Sequence, residues 1–212
     1  RVHPLDLPGN GARHRERSPA SVVAMVADVR EQVRRLGIRT PVNLLALSLG
    51  AMVATEWAHC APDDIGACVL INTSMRPFSP FHHRLKPHNI PSLLRLVAGR
   101  LAPDAAERLI WRLTSRQVTV DDAVLEAWVR ARRARPVQGS NGIRQLLAAA
   151  RFRAPSRAPR PPALILTSQG DRLVSSRCSD ALARSWNCPL RCHPEAGHDL
   201  PLDDPAWVVR QV

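Results

Sequence analysis

Short apolar blocks alternate with segments of helical periodicity along most of this 212-residue chain. Predicted strands occupy residues 42–47, 66–74, 163–167 and 190–193. Apolar residues recur at helical spacing before, between and after these strands, at residues 22–36, 49–60, 179–186 and from about residue 204 to the last residue. This alternation predicts an α/β fold in which helices flank a mostly parallel sheet.

The segment before the first predicted helix resembles the end of a strand. Residues 1–14 begin without methionine and run from strand-like residues directly into a Pro-Gly-Asn-Gly turn. We therefore expect a strand here, and we expect that an upstream part of the sheet is missing, so that the sheet is incomplete at its N-terminus. Ser18 is the predicted N-cap of the following helix, Pro19 its first residue and Gly37 its end.

Residues 75–158 interrupt the alternation. Prolines separate short helical segments there, at residues 93–97, 105–113, 120–130 and 143–150, and no strand pattern occurs. We interpret this stretch as a helical cap, or lid, inserted into a core of ordinary domain size. The predicted organisation is a first part of the core at residues 1–74, the cap at 75–158 and a second part of the core at 159–212.

The net charge of +12 does not by itself predict nucleic-acid binding. Lys86 is the one lysine, and arginines are spread along the whole chain rather than gathered in a patch. Residues 130–160 are an exception, with nine arginines and no Asp or Glu. An acidic carrier or an anionic substrate tail is one interpretation of this segment, and a solvated basic face is the favoured one. No apolar run approaches the roughly 18 residues of a membrane span, so no span is predicted.

The cysteines give no sign of a disulfide framework or a metal site. Five cysteines are an odd number and their spacing is irregular. A reducing compartment fits them better, so the cytoplasm is the predicted location, for a chain whose natural start we expect to be missing. Cys188, Cys192 and His193 lie close together, but we find no second pair of ligands that would complete a tetrahedral zinc site. We predict no metal and no other cofactor.

A serine stands where the first complete strand meets its helix. Ser48 directly follows the apolar block 42–47, with Ala46 two residues before it and Gly50 two residues after it. A sharp turn of this kind projects its apex residue from the sheet, and small flanking residues let the strained backbone pass close to its neighbours. The helix N-terminus favours developing negative charge. Ser48 is therefore a candidate nucleophile, and a serine N-cap without a catalytic role is the alternative.

Later strand ends supply a candidate acid and a candidate base. Asp171 follows the strand at residues 163–167, and His198 follows the strand at residues 190–193. The carboxyl ends of parallel strands lie at one edge of a sheet, so Ser48, Asp171 and His198 are expected to come together. A plain turn aspartate is the alternative for Asp171. Asp199 and Asp203 are the other candidate acids, but they stand too near His198 in the sequence to orient it easily.

Four motifs in this order resemble the α/β-hydrolase superfamily, specifically its capped serine hydrolases and carboxylesterases. They are DLPGNG at residues 6–11, ALSLG at 46–50, SQGDRLV at 168–174 and AGHDLPLDDP at 196–205. The resemblance implies that Ser48 attacks an acyl carbonyl, that His198 is the base and then the acid, and that Asp171 orients the imidazole. It also implies that the Leu49 N–H is one donor of the oxyanion hole.

Two positions depart from the usual family pattern, and one part of it is absent. Ala46 replaces the commoner glycine, and Asn10 stands where the family often has histidine. The family's second oxyanion donor comes from a loop upstream of these motifs, which this sequence does not contain. Loss of one donor typically costs about 3–4 kcal/mol of transition-state stabilisation. We therefore expect a hydrolase fragment with impaired activity.

The resemblance favours a serine hydrolase that acts on a carboxylic ester or thioester, with a small-molecule acyl ester as substrate. Transfer of the acyl group to an alcohol by the same three residues is an alternative, as is a non-catalytic interaction protein on the same scaffold. Trp111 and Trp128, in the predicted cap, are candidates for the acyl pocket, although a role in helix packing is favoured for both. Phe78 and Phe81 have the same two interpretations.

Overall fold

The computed structural model describes residues 1–117 and 121–212, and their strands form one parallel sheet. Within these residues the sheet has four strands in the order β1-β2-β3-β4: β1 Val42–Leu47, β2 Ile65–Ile71, β3 Ala163–Ser168 and β4 Leu190–His193. Leu44 is paired with Cys68, and Leu70 with Ile165. The predicted α/β class, with a mostly parallel sheet flanked by helices, is confirmed.

The helices are α1 Val22–Arg35, α2 Leu49–Cys60, α3 Phe81–Arg84, α4 Ile90–Val97, α5 Pro103–Thr114, α6 Asp122–Ala134, α7 Gly139–Arg151, α8 Arg177–Trp186, α9 Leu200–Asp203 and α10 Pro205–Gln211. Helices α3 to α7 all lie between β2 and β3 in the chain. The helix predicted at residues 120–130 is α6, and the proposed first residue, Val120, lies outside the described residues. No helix of the described ranges is long and apolar enough to cross a membrane.

Residues 1–7 do not form the predicted strand. A strand needs a neighbour that pairs with its backbone, and in the described residues β2 is the sole neighbour of β1, which is therefore an edge of the sheet. Leu45 in the middle of β1 is 58% exposed. Leu5 and Leu7 instead pack as irregular chain against the hydrophobic core.

The N-cap of α1 is Ser21, not the predicted Ser18. The Ser21 hydroxyl accepts a hydrogen bond from the Ala24 N–H, and the helix begins at Val22. Ser18 is buried, and its backbone N–H donates to Asn141 Oδ1 at 2.9 Å. A contact with a residue far along the chain thus holds Ser18 outside the helix.

The core covers both faces of the sheet. Leu70 packs in the larger cluster, together with Met25 of α1 and Trp57 of α2. Its neighbour Ile71 packs on the opposite face, in a smaller cluster that includes Leu200 of α9. Successive side chains of a strand point to opposite faces, so both faces of β2 are anchored. The carboxyl ends of the central strands are therefore held in place by core packing.

A charged pair fastens the turn after residue 10 to α1. Arg13 donates to Asp28 Oδ2 at 2.5 Å and to Asp28 Oδ1 at 2.8 Å. The hydrogen bonds from Arg13 lower the pKa of the Asp28 carboxyl, and partial burial raises it by a smaller amount. Because the folded-state pKa lies below the unfolded value of about 3.9, the pair stabilises the protein above that pH. The stabilisation is lost as the pH falls through the folded-state pKa.

We expect Asp28→Asn to lower the free energy of unfolding by about 1 kcal/mol at pH 7. Because wild type loses the same pair in acid, the difference between the two proteins should shrink as the pH falls below about 3.9. Urea unfolding at pH 7 and at pH 3 measures both quantities. Glu31→Gln, which removes the more exposed pairs with Arg34 and Arg35, is the control and should change stability less. An equal loss for Asp28→Asn at both pH values would contradict this account.

Candidate functional site

Ser48 occupies a strained turn between β1 and α2. Its backbone has φ 53° and ψ −114°, a conformation that non-glycine residues rarely adopt. The Ser48 N–H donates to the Ile71 carbonyl at 2.9 Å, and the Ser48 carbonyl accepts from the Ala51 N–H at 3.1 Å. The Ser48 side chain does not cap α2. The backbone is therefore fixed by the neighbouring strand β2 and by the helix, while the hydroxyl is left for another role.

Asp171 and His198 form a buried pair at the carboxyl ends of β3 and β4. His198 Nδ1 and Asp171 Oδ2 are 2.7 Å apart, and both side chains are almost completely buried. Asp171 Oδ1 accepts from the N–H groups of Leu173 at 2.8 Å and Val174 at 2.9 Å. Each carboxylate oxygen thus has a partner, and the carboxylate is fixed relative to the imidazole. A carboxylate is an acceptor, so His198 donates from Nδ1, and in the neutral imidazole the lone pair is then on Nε2.

The other candidate acids have different roles. Asp203 Oδ1 accepts from the Ser115 hydroxyl at 2.5 Å, and Asp203 Oδ2 accepts from the Gly197 N–H at 2.6 Å. Burial raises the pKa of the Asp199 carboxyl, and the Asp199 backbone N–H donates to the Thr114 carbonyl. In the described residues it is Asp171 that accepts the hydrogen bond from the His198 imidazole.

Two residues after β2 join the serine turn to the histidine loop. Asn72 Nδ2 donates to the His198 carbonyl at 2.8 Å, and Thr73 Oγ1 donates to the Ser48 carbonyl at 3.1 Å. The hydrogen bonds of the described residues include none between the Ser48 and His198 side chains, a contact that often tightens only with substrate. The sequence pattern predicts a strand through residues 66–74, whereas β2 ends at Ile71. It therefore gave no indication of either polar contact. The available signal was a run of three polar residues, NTS, directly after an apolar block.

A largely apolar cavity of about 620 Å³ opens beside Ser48 and Leu49. Helices α3 to α7 and residues 173–174 supply most of its wall, including Leu93, Ile110 and Leu146. A cavity of this size and character is typical of a small-molecule site. The Leu49 N–H, at the start of α2, donates to no residue of the described ranges, which leaves it available to a ligand.

The aromatic residues are divided between the cavity and the packing around it. Phe81 lines the cavity. Phe78 packs edge-on against Trp186, with ring centroids 5.7 Å apart. Trp111 and Trp128 pack on each other, with centroids 5.6 Å apart, and neither belongs to the described wall of the cavity. Helix packing is thus the role that the structure shows for these two tryptophans.

Part of the positive charge of residues 130–160 is neutralised by carboxylates elsewhere. Arg132, which lines the cavity, pairs with Glu107 of α5, and Arg160 pairs with Asp63. The positive field of this segment is therefore weaker than its nine arginines indicate. The second arginine of the cavity wall, Arg84, donates to carbonyls at the end of α7.

Comparisons with known proteins agree with this architecture. A family model described as the alpha/beta hydrolase family matches residues 1–211. Among solved structures, a thermophilic esterase from Thermogutta terrifontis superposes with a TM-score of 0.73 at 24% identity, covering 97% of this chain and 75% of that one. An esterase from Exiguobacterium antarcticum gives a TM-score of 0.75 at 14% identity, covering 97% of this chain and 77% of its own.

A third structure, a protein assigned as a non-heme bromoperoxidase, BpoC, from Mycobacterium tuberculosis, gives a TM-score of 0.74 at 23% identity. The superposition covers 97% of this chain and 77% of the BpoC chain. No curated protein matches the sequence. At these identities the structural neighbours show a common fold, and the chemistry has to be argued from the side chains.

Proposed function

Because this chain belongs to the alpha/beta hydrolase family, we propose that it is a serine hydrolase that cleaves a carboxylic ester or thioester through an acyl-enzyme on Ser48. The observation that carries the proposal is the buried 2.7 Å hydrogen bond between His198 Nδ1 and Asp171 Oδ2. It supports the proposal because it leaves His198 Nε2 free to accept a proton, at the sheet edge where Ser48 stands.

The chemistry proceeds in two stages. His198 Nε2 removes the Ser48 hydroxyl proton while the oxygen attacks the acyl carbonyl, and the Leu49 N–H stabilises the oxyanion. The tetrahedral intermediate collapses, and the leaving alcohol or thiol takes the proton from His198. Water, deprotonated by the same imidazole, then attacks the acyl-enzyme. The bond from Ser48 to the acyl carbon breaks, Ser48 takes the proton back from His198, and the carboxylic acid is released. Asp171 stays ionised and stabilises the imidazolium in both stages.

The cavity supports an acyl group of small to medium length as substrate. Its wall is mostly aliphatic and Ser48 lies in that wall, so an acyl chain in the cavity brings its carbonyl to the hydroxyl. In this proposal the helices between β2 and β3 act as a cap that shields the acyl-enzyme from bulk water. The esterase names of two structural neighbours agree with an ester substrate.

A fluorophosphonate probe followed by peptide mapping tests the proposal. We expect the label on the peptide that contains Ser48, and hydrolysis of nitrophenyl esters by the same preparation. Product analysis with an added alcohol distinguishes hydrolysis from acyl transfer, because transfer yields a new ester. An unlabelled Ser48 in folded protein, with no ester hydrolysis, would rule the proposal out.

Chain-length preference tests the place of the acyl group. Ile110→Trp fills part of the cavity, so we expect the ratio of kcat/KM for long-chain to short-chain esters to fall about 10-fold or more. A series of nitrophenyl esters of increasing acyl length measures the ratio. Ile143→Trp is the matched control, because Ile143 is 48% exposed and lies outside the wall of this cavity in the described residues. A similar change in both variants would place the acyl group elsewhere.

A further inference from the structure

We infer that Asn72 and Thr73 are positioning residues that hold the loops of Ser48, Asp171 and His198 in their working arrangement. The inference rests on the proposed function of those three residues. Asn72 and Thr73 follow β2, the strand whose end lies between the serine turn and the end of β3 in the sheet. One dipeptide thus reaches all three loops.

The Asn72 side chain links two of the loops. It is 1% exposed, and its Nδ2 donates to the His198 carbonyl at 2.8 Å, to the Gly197 carbonyl at 3.1 Å and to Ser168 Oγ at 3.1 Å. Its Oδ1 accepts from the Ser168 N–H at 2.9 Å. Ser168 ends the strand that leads to Asp171. Both ends of one amide therefore bind the acid loop and the histidine loop together.

Thr73 holds the third loop. Its hydroxyl donates to the Ser48 carbonyl at 3.1 Å, and the residue is 1% exposed. The same carbonyl accepts from the N–H groups of Ala51 and Met52 at the start of α2. The Ser48 peptide thus has a partner outside its own helix, which opposes rotation of the strained turn.

The backbone of Asn72 explains why this residue type is found here. Its φ is 43°, in the left-handed region that asparagine adopts more readily than most non-glycine residues do. The Asn72 N–H still donates to the Leu166 carbonyl of β3 at 3.0 Å, so the chain leaves the sheet only after this residue. Glycine would accept the backbone conformation but would supply no amide. The position requires both properties.

These contacts are expected to act on kcat rather than on substrate binding. Catalytic groups must be held within about 0.5 Å of their productive geometry, and the carbonyl of His198 belongs to the residue that carries the base. Neither Asn72 nor Thr73 belongs to the described wall of the cavity, so the acyl site does not depend on their side chains. Loosening the loops misplaces the imidazole and leaves the acyl site intact.

Four variants test the inference through kcat, KM and the pH profile. Asn72→Gly keeps the backbone conformation and removes the amide. Asn72→Asp keeps the shape but turns an acceptor oxygen toward the carbonyl oxygens of Gly197 and His198. We expect both to lower kcat about 10- to 100-fold with KM within about 2-fold of wild type, and to shift the limb of the pH profile that reports His198. Thr73→Val should lower kcat in the same way. Thr73→Ser keeps the hydroxyl and should have a kcat close to that of wild type.

Hydrogen exchange read by mass spectrometry tests the same contacts without any activity. In the Asn72 variants we expect faster exchange in peptides that cover residues 168–172 and 196–199, with unchanged exchange in α1. Asn141→Ala is the matched control, because Asn141 is 2% exposed and bonds the Ser18 N–H and the Glu16 carbonyl, away from the three loops. It should lower stability without moving the pH profile or the exchange of the histidine loop.

The results separate the inference from the proposed function. Wild-type kcat and wild-type exchange in Asn72→Gly would overturn the inference, as would a pH profile that Asn141→Ala shifts to the same extent. If the Asn72 variants do not fold, the comparison of Thr73→Val with Thr73→Ser decides, and equal kcat for these two would overturn it. A third outcome is that the Asn72 variants show faster loop exchange while the wild type neither labels at Ser48 nor hydrolyses esters. That outcome would retain the positioning role of Asn72 and reject the proposed chemistry.

Discussion

Ser48→Ala is expected to abolish fluorophosphonate labelling and to lower kcat for ester hydrolysis about a million-fold, the size of effect seen when a serine nucleophile is removed. The variant keeps the backbone contacts of the turn, because the N–H and the carbonyl of residue 48 make them. The lost activity is therefore assigned to the hydroxyl. Loss of label by mass spectrometry and steady-state hydrolysis of a nitrophenyl ester measure the two effects.

Two control variants make the result specific. Ser74→Ala removes the second hydroxyl that lines the same cavity, one that donates to the Arg84 carbonyl, and should retain label and most of kcat. Ser48→Gly also lacks the hydroxyl but adopts a positive φ without strain, so it should be as inactive as Ser48→Ala. Label retained in Ser48→Ala and lost in Ser74→Ala would transfer the nucleophile to Ser74. High activity in Ser48→Gly would show that the backbone rather than the hydroxyl matters.

Local patterns predicted the elements that carry the candidate site. The bounds of β1, α2 and β4 agree with the sequence patterns, because an apolar block of strand length and a run at helical spacing are each complete within a few residues. The turn at Ser48 follows from their junction. Its strain is enforced by a hydrogen bond to Ile71, a residue of the neighbouring strand, which no local pattern contains.

The errors arose where distant contacts decide the conformation. Ser18 and Ser21 both satisfy the N-cap rule, and a bond to Asn141, 123 residues away in the sequence, excludes Ser18. Helix α7 begins at Gly139, before the predicted start at residue 143, where the apolar periodicity becomes visible. Its first turn packs closely against Val97, and a Cβ at Gly142 would come within 3.1 Å of the Val97 side chain. Glycines that weaken a helix locally are thus favoured by close packing.

Asn72 shows the same limit within the candidate site. Its side chain reaches residues 96 to 126 positions away, and none of these distances is visible in the sequence around it. In the sequence it lies inside the predicted strand at residues 66–74. In the fold it is a left-handed turn that ends the strand and holds two loops. A buried polar residue directly after a strand is therefore the feature to examine in similar chains.

Asp171→Asn is the second large expected effect, because the two carboxylate oxygens have different partners. The N–H groups of Leu173 and Val174 hold Oδ1, so the asparagine must keep its oxygen there and turn its NH2 group toward His198. That NH2 group donates to Nδ1, which places the imidazole proton on Nε2 and removes the lone pair that Ser48 needs. We expect kcat to fall about 10,000-fold, with folding intact.

Steady-state hydrolysis gives the loss, and the nitrogen chemical shifts of the His198 imidazole give the tautomer. Asp199→Asn is the matched control, since Asp199 is the other acid beside His198 and its pKa is raised by burial. Burial disfavours the charged form of Asp199, and among the described residues its side chain makes no hydrogen bond to the imidazole. Replacement by the neutral amide should therefore lower kcat less than about 10-fold. If Asp199→Asn were inactive while Asp171→Asn kept its rate and tautomer, the 2.7 Å hydrogen bond would not be the one that orients the base.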